Sequence, residues 1–525
     1  MCARPLALVA LECWATTRRR DRRPDARATR PLPVTTHARL IAPALRWDRA
    51  HGFCYLEGLI DDALELGVGG FLIEGGSRDE VAALIGRLHS QSKSPILVGA
   101  RAERGAGETI EGLTECPPLG ALAAIAAIDA DGGGVASLDV DLIRRTARLT
   151  AREFKSVGVN WALAPVCDLD VARGSQRIGI RGAGSEAAIV AAIVSEWVDA
   201  CQAEAVVACA MHFPGIGRAI DQSTGAPLLK DATAMWRNSD LVPFTAAIDA
   251  GAASVMIAHL SAPGLGAPEG VMRSAALVAN VLRTEMHFDG IVTTIAFDRE
   301  PTLDATREGE HAVAAIAAGC DLILAPADLS GVADALARAE KTGALNANRI
   351  REATMRIDRW AGWARLVTPS DAREPSMDDV MWSRQVADRC VRLISGSRPR
   401  VGATIEVVEV RHDDSRDPLV HFAATLRALH IEVAESAVPT PRERAPLAIL
   451  FAPGNGPGDA ISRDELDNAR AVAKTSIAAG RDTIVVAYCH PRAAAALGND
   501  LSIVCAWEPT RAMQQASARM IVTPR

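Results

Sequence analysis

Polar residues able to accept or donate a proton follow several apolar segments of the sequence, at the point where each segment ends. Asp168 and Asp170 come after the run 161–165, His212 ends a second run, and His259 ends a third. Carboxylates and imidazoles are common general acids and bases. If these runs are parallel strands, their carboxyl ends lie on one face, where the side chains would form a site. The plainer alternative is that strand ends are polar because the chain leaves the sheet there.

The secondary-structure elements that would position these residues follow a repeating pattern. From about residue 40, short apolar or β-branched runs alternate with Ala-rich segments of helical period, a pattern typical of βαβ units. It predicts strands at residues 70–73, 95–98, 161–165, 206–212, 254–259, 290–294 and 322–325. It predicts helices between them at residues 79–89, 139–156, 187–203 and 307–318. Seven parallel strands in this arrangement favour a (β/α)8 TIM-type barrel, with an open doubly wound sheet as the alternative.

A second series of predicted helices and strands begins after a charged, Pro-containing connector at residues 368–378. A helix is predicted at residues 381–393, and helices at 462–479 and 509–520 separate new strands at 405–410, 447–451, 483–487 and 503–506. This pattern predicts a smaller three-layer α/β sandwich domain. The predicted division is an Arg/Pro-rich disordered leader (1–39), the barrel (40–367), a linker helix (368–400) and the sandwich domain (401–525).

Composition excludes several classes of protein. The chain of 525 residues carries 64 acidic and 57 basic side chains, a net charge of −7, so it lacks the basic excess of a dedicated nucleic-acid binder. Its 11 cysteines form no C-x-x-C pair, which argues against a zinc ribbon or a disulfide framework and favours the cytoplasm. The first 15 residues resemble a signal peptide only weakly, which leaves export as the alternative. We expect no membrane span, no metal and no cofactor, and a carbohydrate, an acidic small molecule or a protein as partner.

Six segments in order resemble bacterial members of glycoside hydrolase family 3, the group that includes β-N-acetylglucosaminidases. They are ELGVGGFLIEGG (65–76), ERGAG (103–107), GVNWALAPVCDLDV (158–171), HFPGIG (212–217), LVPFTAAIDAGAASVMIAHL (241–260) and MHFDGIVT (286–293). The resemblance is colinear over roughly residues 45–525. It implies a (β/α)8 barrel followed by an α/β sandwich, the same architecture that the periodicity predicts.

The resemblance also implies a chemistry whose residues are replaced. Family members retain stereochemistry through a covalent glycosyl-enzyme, which needs an Asp nucleophile and a general acid/base. The nucleophile position, after the strand that reads Gly-Ile-Val-Thr-Thr, holds Ile295. The acid/base of this branch is a His held by an Asp two residues before it; here that Asp is Asp221, and Ser223 replaces the His. A Ser hydroxyl does not shuttle protons at neutral pH.

The positions that hold substrate in the family are kept unevenly. The family's substrate-contacting Arg is retained as Arg181, and the His of K-H-F-P-G is retained as His212. Met211 replaces the Lys of that motif, and Ile216 replaces the later loop His. Arg101 replaces the sugar-binding Asp, and Thr109 replaces an Arg eight residues beyond it. We expect Asp168 to stabilise its loop rather than to take part in catalysis. We expect His259 to be packed at the mouth of the barrel rather than to donate a proton.

Three hypotheses follow. The first is a catalytically degenerate protein that serves as a glycan-binding or regulatory module. The second is an active O-glycosyl hydrolase with a relocated pair, Asp298 or Glu300 as nucleophile and Asp221 or Glu103 as acid. The structural alternatives are that Asp298 is a solvated loop carboxylate and that Glu103 hydrogen-bonds loop backbone.

The third hypothesis is an acidic ligand. Arg101 with Arg181 would form a cationic mouth suited to it.

Overall fold

The structure is a computed structural model that describes residues 37–128, 138–172, 174–222, 225–230, 235–299, 303–366, 376–411, 419–439, 445–453 and 462–522. Most of the predicted leader, together with Ser223 and Glu300, lies outside these ranges. The last three residues assigned to the leader, 37–39, are buried against the first domain.

The first domain is built on parallel strands joined by helices. Its strands are β1 (Ile41–Ala42), β2 (Ala44–Arg46), β3 (Gly70–Glu74), β4 (Leu97–Arg101), β5 (Trp161–Leu163), β6 (Val207–Phe213), β7 (Ser254–Ile257), β8 (Ile291–Thr294) and β9 (Ile323–Leu324). Its helices are α1 (Glu57–Leu66), α2 (Arg78–Gln91), α3 (Leu119–Ile128), α4 (Val140–Ser156), α5 (Ala187–Gln202), α6 (Val242–Asp249), α7 (Ala276–Glu285), α8 (Glu308–Ala318), α9 (Leu329–Lys341) and α10 (Ala347–Leu366). All seven strands predicted from the sequence are present.

The sheet closes on itself. Strands β2 to β8 pair in sequence order, all parallel. A parallel bridge joins Thr293 to Leu322 just before β9, and β9 pairs with β1 at Ile41 and Ile323. Because β1 and β2 are one strand interrupted at Pro43, the closed sheet has eight strands. The predicted TIM-type barrel is confirmed. The open doubly wound alternative is wrong.

The barrel strands form because they are buried on both faces. Every residue of β6, Val207–Phe213, is buried. This is expected of a parallel strand whose outer face is covered by helices and whose inner face is covered by the other barrel strands. The surrounding helices have polar starts: the Ser77 hydroxyl accepts from the Glu80 amide, and Glu80 accepts in turn from the Ser77 amide, a capping box that begins α2.

The amino-terminal end of the barrel is held by one buried carboxylate. Asp321, with no exposed surface, accepts the Val292 amide at 3.0 Å and pairs with Arg283, Arg349 and Arg356 on α7 and α10. A buried ion-pair network at this end serves stability, because barrel sites lie at the opposite face.

The second domain is a mostly parallel α/β domain. Its strands are β10 (Arg392–Ser395), β11 (Thr404–Arg411), β12 (Glu432–Ser436), β13 (Leu447–Ala452), β14 (Thr483–Ala487) and β15 (Ile503–Cys505), in the order β10-β15-β14-β13-β11-β12. Its helices are α11 (Met377–Cys390), α12 (Val420–Ala428), α13 (Arg463–Ala478), α14 (Pro491–Ala495) and α15 (Arg511–Val522). Strand β10, which pairs antiparallel with β15, lies within the range predicted as a linker helix.

The two domains contact each other through specific side chains. Arg492 at the start of α14 donates two hydrogen bonds to the Asp170 carboxylate, each 2.5 Å, and His490 approaches the same carboxylate at 3.1 Å. The Ser383 hydroxyl, on α11, donates to the Glu115 carbonyl of the barrel. The loops after β5 therefore lie against the second domain.

Membrane spans and clusters of metal ligands are absent from the described part of the chain. No helix there is both long and apolar enough to cross a membrane. Nor do three or more His, Cys, Asp or Glu side chains in these ranges converge as metal ligands. Six cysteines within the described ranges, Cys116, Cys167, Cys201, Cys209, Cys320 and Cys390, are free thiols, and Cys167, Cys209 and Cys320 are fully buried, as expected of small apolar side chains.

Candidate functional site

A cavity of about 1100 Å³ lies at the carboxyl ends of the barrel strands, between the barrel and the second domain. That volume is at the upper end of the range usual for ligand sites. The barrel contributes the lining residues Arg49, Leu72, Glu74, Arg101, Glu103, Arg104, Glu108, Glu115, Pro118, Leu163, Arg177, Ile180, Arg181, Met211, His212, Ile216, Met256, Ala258, His259, Ile295, Ala296, Arg299 and Leu324. The second domain contributes Leu419, Val420, His421, Ala452, Pro453, Tyr488, Trp507, Glu508, Pro509, Thr510, Arg511 and Gln514.

One wall of the cavity is organised by Asp168, which follows β5. Its carboxylate accepts hydrogen bonds from the His212 amide at 3.0 Å, the Ile216 amide at 2.7 Å and the His212 ring Nδ1 at 2.8 Å. Asp168 is buried and fixes the turn after β6, together with the orientation of the imidazole. The expected architectural role of Asp168 agrees with this geometry.

His212 continues into an ion pair. Its Nε2 lies 3.3 Å from the Arg181 guanidinium, which binds both oxygens of Glu103 at 2.7 and 2.8 Å. Burial by itself raises the pKa of Glu103, but the charge of Arg181 and its hydrogen bonds outweigh burial and lower that pKa to about 2. Glu103 is therefore ionised at neutral pH. It binds a guanidinium, so the expectation that it hydrogen-bonds loop backbone is wrong.

A second charged group joins the two domains. Arg104 donates to Glu508 of the second domain at 2.5 Å, while its amide and guanidinium lie 3.0 and 3.5 Å from the Glu108 carboxylate. Burial raises the pKa of the nearby Glu115 to about 7, against the opposing charge of Arg104. Burial also raises the pKa of Glu508. One guanidinium thus serves several carboxyl groups, of which two hold protons more readily than usual.

The floor of the cavity is apolar. Ile295, which follows β8, lines it together with Met211, Ile216 and Met256. Met211 and Ile216 are buried, and Ile295 is partly exposed. Hydrocarbon side chains offer a sugar hydroxyl no hydrogen bond and an anomeric carbon no nucleophile. No Asp and no Lys occurs among the described residues that line the cavity.

Asp298, three positions beyond Ile295, is directed to a different contact. Its carboxylate pairs with Arg46 at 2.6 Å, and the neighbouring Glu74 binds Arg46 and Arg299. Burial raises the pKa of Asp298, while Arg46 opposes the rise. The predicted solvated carboxylate is thus an ion-paired one. Asp298 does not belong to the cavity lining, although Glu74 and Arg299 do.

Asp221 also lies outside the cavity lining. Its carboxylate accepts from the Gln176 amide at 3.0 Å and the Ser175 hydroxyl at 3.2 Å, and it pairs with Arg177 at 3.2 Å. These contacts tie the loop that follows β6 to the loop that follows β5. Ser223, two residues on, is outside the described residues.

Arg101 and His259 are at the barrel mouth, as their positions predicted. Arg101 ends β4, and its side chain is 52% exposed, with Nε 4.0 Å from the Glu108 carboxylate. His259 follows β7, lines the cavity and is partly buried. The Thr109 hydroxyl donates to the Arg101 carbonyl, so this replacement supports the strand end.

Comparison with known proteins decides the family. The profile described as Glycosyl hydrolase family 3 N terminal domain matches residues 64–360, more than half of the chain. The chain belongs to glycoside hydrolase family 3. A protein from Cellulomonas fimi named Beta-N-acetylglucosaminidase/beta-glucosidase is 30% identical over 304 residues, which is 56% of this chain and 52% of that protein. This chain thus spans about half the length of that relative.

Two further family 3 comparisons agree. A Beta-hexosaminidase from Xanthomonas oryzae pv. oryzae is 31% identical over 305 residues, 57% of this chain and 86% of that protein. The solved structure of a glycoside hydrolase family 3 beta-N-acetylglucosaminidase from Paenibacillus sp. str. FPU-7 superposes with a TM-score of 0.78 at 22% identity, covering 93% of this chain and 95% of that one. At that identity the superposition shows the fold alone.

Several residues singled out in the sequence line the barrel side of the cavity, whereas the residues of the second domain that line it were not predicted. Arg181, His212, Arg101 and Ile295 share the cavity as predicted, whereas Asp221 and Asp298 do not join them. The missed residues come from the second domain at positions 419–421, 452–453, 488 and 507–514. No motif marks them, and their only signal was position: they follow or precede strands of the second sheet.

Proposed function

We propose that this family 3 protein binds a saccharide in the cavity between its domains and does not hydrolyse it, acting as a glycan-binding or regulatory module. One observation supports this above the others: the floor position after β8, where a retaining enzyme needs a nucleophile, holds Ile295 among other hydrocarbon side chains. Arg181, His212 and Arg101 line the same cavity and are the candidate ligand contacts.

The carboxylates of the cavity do not replace the missing pair. Retention requires two carboxyl groups about 5–5.5 Å apart, one free to attack and one able to donate a proton. Glu74, Glu103, Glu108 and Glu508 each bind an arginine. An ion-paired carboxylate is a poor nucleophile, and Glu103, with its pKa near 2, has no proton to donate at neutral pH. Glu115 holds a proton more readily, but the position after β8, where the nucleophile of the pair would have to lie, is Ile295.

The relocated pair receives no support from the described geometry. Asp298 is bound to Arg46, and Asp221 is bound to a neighbouring loop; neither lines the cavity. Glu300, the other candidate nucleophile, is outside the described residues. We therefore keep the active hydrolase as an outcome of the experiment.

The test measures turnover and binding on one preparation. Purified full-length protein is assayed with chromogenic β-N-acetylglucosaminide and β-glucoside, beside the Xanthomonas oryzae relative. We expect less than roughly 10⁻⁴ of the relative's rate, because loss of an essential group costs about that factor or more. The same protein should show a melting-temperature rise with N-acetylglucosamine or its oligomers.

Controls separate the alternatives. Asp298→Asn and Asp221→Asn remove the relocated candidates outside the cavity, and Glu103→Gln removes the one inside it. Turnover near the relative's rate that one of these variants abolishes would show an active enzyme, as would a fluorosugar adduct mapped to a carboxylate peptide. Either result ends the proposal.

The cytoplasm is the compartment we propose. In its support, six buried cysteines of the described ranges are free thiols, whereas exported proteins commonly form disulfides. Cell fractionation with an antibody against the native protein tests this, and recovery outside the cytoplasmic fraction would overturn it.

A further inference from the structure

We propose that the ligand of the cavity is an anionic sugar, a monosaccharide or short saccharide carrying a carboxylate or phosphate group, and that Arg101 determines the preference for that charge. The inference rests on the proposed function, because it specifies what the non-hydrolytic cavity binds. Three observations support it: the charges of the lining residues, the ion pairs that four of the arginines already form, and the apolar floor.

The cavity is richer in positive than in negative side chains. Among the described residues, seven arginines and five glutamates line it, so their formal charge is +2. The excess contrasts with the whole chain, whose net charge is −7. Glu115 and Glu508 contribute less negative charge than the count assigns, because burial raises the pKa of each. A positive cavity in a negative protein attracts anions.

Four of the seven arginines are committed to carboxylates. Arg181 pairs with Glu103, Arg299 with Glu74, Arg104 with Glu508 and Arg177 with Asp221. The closest distances in these pairs lie between 2.5 and 3.2 Å. These pairs build the walls. The guanidiniums left for a ligand are therefore to be sought among Arg49, Arg101 and Arg511.

Arg101 is the one of these three that ends a barrel strand. Its closest described carboxylate, Glu108, is 4.0 Å away and already accepts from the Arg104 amide and guanidinium. Within the described ranges, Arg49 and Arg511 form no ion pair with a carboxylate, and both are exposed at the rim. A planar guanidinium can offer a carboxylate or phosphate two parallel N–H bonds, which makes Arg101 a suitable anion receptor.

The apolar floor favours the same ligand class. A sugar hydroxyl placed against Ile295, Met211 or Ile216 would lose its water without gaining a hydrogen bond, at a cost of about 1–3 kcal/mol. A neutral sugar, which binds mainly through its hydroxyls, is poorly served there. A charged substituent that pairs with Arg101 at the mouth supplies the missing attraction, while the C–H face of the ring packs on the floor.

The test compares acidic sugars with their neutral parents by calorimetry on the full-length protein. The probes are glucuronate against glucose, N-acetylglucosamine 6-phosphate against N-acetylglucosamine, and inorganic phosphate alone. We expect an acidic sugar to bind at least 10-fold more tightly than its parent. Arg101→Gln should remove most of that preference and leave the melting temperature of the unliganded protein unchanged, because the side chain is half exposed.

A matched variant controls for the loss of one positive charge. Arg307 has a side-chain exposure of 53%, close to the 52% of Arg101, and lies outside the cavity lining. Arg307→Gln should keep the full preference for the acidic sugar. Equal loss in both variants would show a long-range charge effect and overturn the role of Arg101.

The remaining outcomes separate this inference from the proposed function. Equal affinity for acidic and neutral sugars, without hydrolysis, overturns the anionic ligand and leaves the glycan-binding module standing. Inorganic phosphate that competes as tightly as the sugar phosphate overturns the sugar part of the inference. Hydrolysis of the neutral glycosides, or binding of no sugar at all, overturns the proposed function itself.

Discussion

The ion pair between Arg181 and Glu103 is the residue-scale feature that shapes the cavity wall. Glu103 is 10% exposed and Arg181 is 27% exposed, and two short hydrogen bonds join them. A guanidinium paired in this way cannot also offer its full charge to a ligand. Arg181 therefore serves as a structural partner of Glu103.

Removing one member of this pair should be worse than removing both. Arg181→Met leaves a buried carboxylate without its partner, for which we expect a loss of roughly 2–4 kcal/mol in the free energy of unfolding. Arg181→Met with Glu103→Gln should lose less than Arg181→Met alone, since no charge is then stranded. Urea unfolding of the wild type, both single variants and the double variant measures this; additive losses would contradict the coupling.

The pair also has a defined pH range. Its folded-state pKa of about 2 lies below the usual value of 4.5, so the contribution of Glu103 to stability is complete above pH 4.5 and is lost as the pH falls towards 2. The difference in stability between wild type and Glu103→Gln should accordingly shrink between pH 5 and pH 3.

At the scale of elements, α4 carries a buried carboxyl group with the opposite behaviour. Glu153 is 1% exposed and accepts hydrogen bonds from the amide and hydroxyl of Thr114, at 2.7 and 2.6 Å. Burial raises the pKa of Glu153 to about 7, despite those hydrogen bonds. The helix is thus tied to the loop after β4 through a carboxyl group that holds its proton when folded.

This arrangement predicts a loss of stability as the pH rises. Between pH 4.5 and pH 7 the folded protein keeps the Glu153 proton while the unfolded chain has released it, so the free energy of unfolding falls through that window. The full effect is on the order of 3 kcal/mol. Glu153→Gln should remove about that much of the decline between pH 5 and pH 7.5, measured by urea unfolding at both values. A variant with the same decline as the wild type would refute the assignment.

Elements with strong hydrophobic periodicity were predictable, and those without it were not. The seven predicted barrel strands are apolar runs bounded by turns, and all occur. Strands β1 and β2 escaped prediction because Pro43 interrupts them, and β12, Glu432–Ser436, because it is a polar edge strand. Strand β10 has only four residues, partly exposed throughout, and its antiparallel pairing depends on β15, more than 100 residues later.

The candidate site was predictable only where it follows strand ends. Arg181, His212, Arg101 and Ile295 could be placed at the mouth because each occupies a position next to a barrel strand or in a family motif. The ion pairs Arg104–Glu508 and Arg492–Asp170 join residues 404 and 322 positions apart. No spacing rule connects such distant residues, so the second-domain wall required the folded structure.

At the scale of the whole molecule, the cavity exists because the two domains are fixed against each other. Asp170, with 7% of its side chain exposed, receives both hydrogen bonds of Arg492 and the approach of His490. The second domain supplies 12 of the 35 described residues that line the cavity, and these would move relative to the barrel if this contact loosened. Domain contact and ligand affinity should therefore change together.

Arg492→Ala tests the link. Losing a bidentate pair to a largely buried carboxylate should cost about 1–2 kcal/mol and speed amide exchange in the segment 503–509 by roughly 10-fold, as measured by hydrogen–deuterium exchange. Arg427→Ala is the control, because it removes an ion pair with Glu435 that lies wholly within the second domain. Unchanged exchange in Arg492→Ala, or equal acceleration in both variants, would contradict a role for this contact in closing the cavity.

The order in which the chain is made gives the second-domain wall a further consequence. The ribosome completes the last barrel strand, Ile323–Leu324, before it begins the wall segment that starts at Trp507, some 180 residues later. At usual elongation rates this interval lasts roughly 10–40 s. During that time the barrel can fold with its mouth uncovered, and neither Arg104 nor Asp170 has its partner from the second domain. A nascent chain at this stage would have an open barrel mouth, and the cavity would be complete only after the second domain has folded onto it.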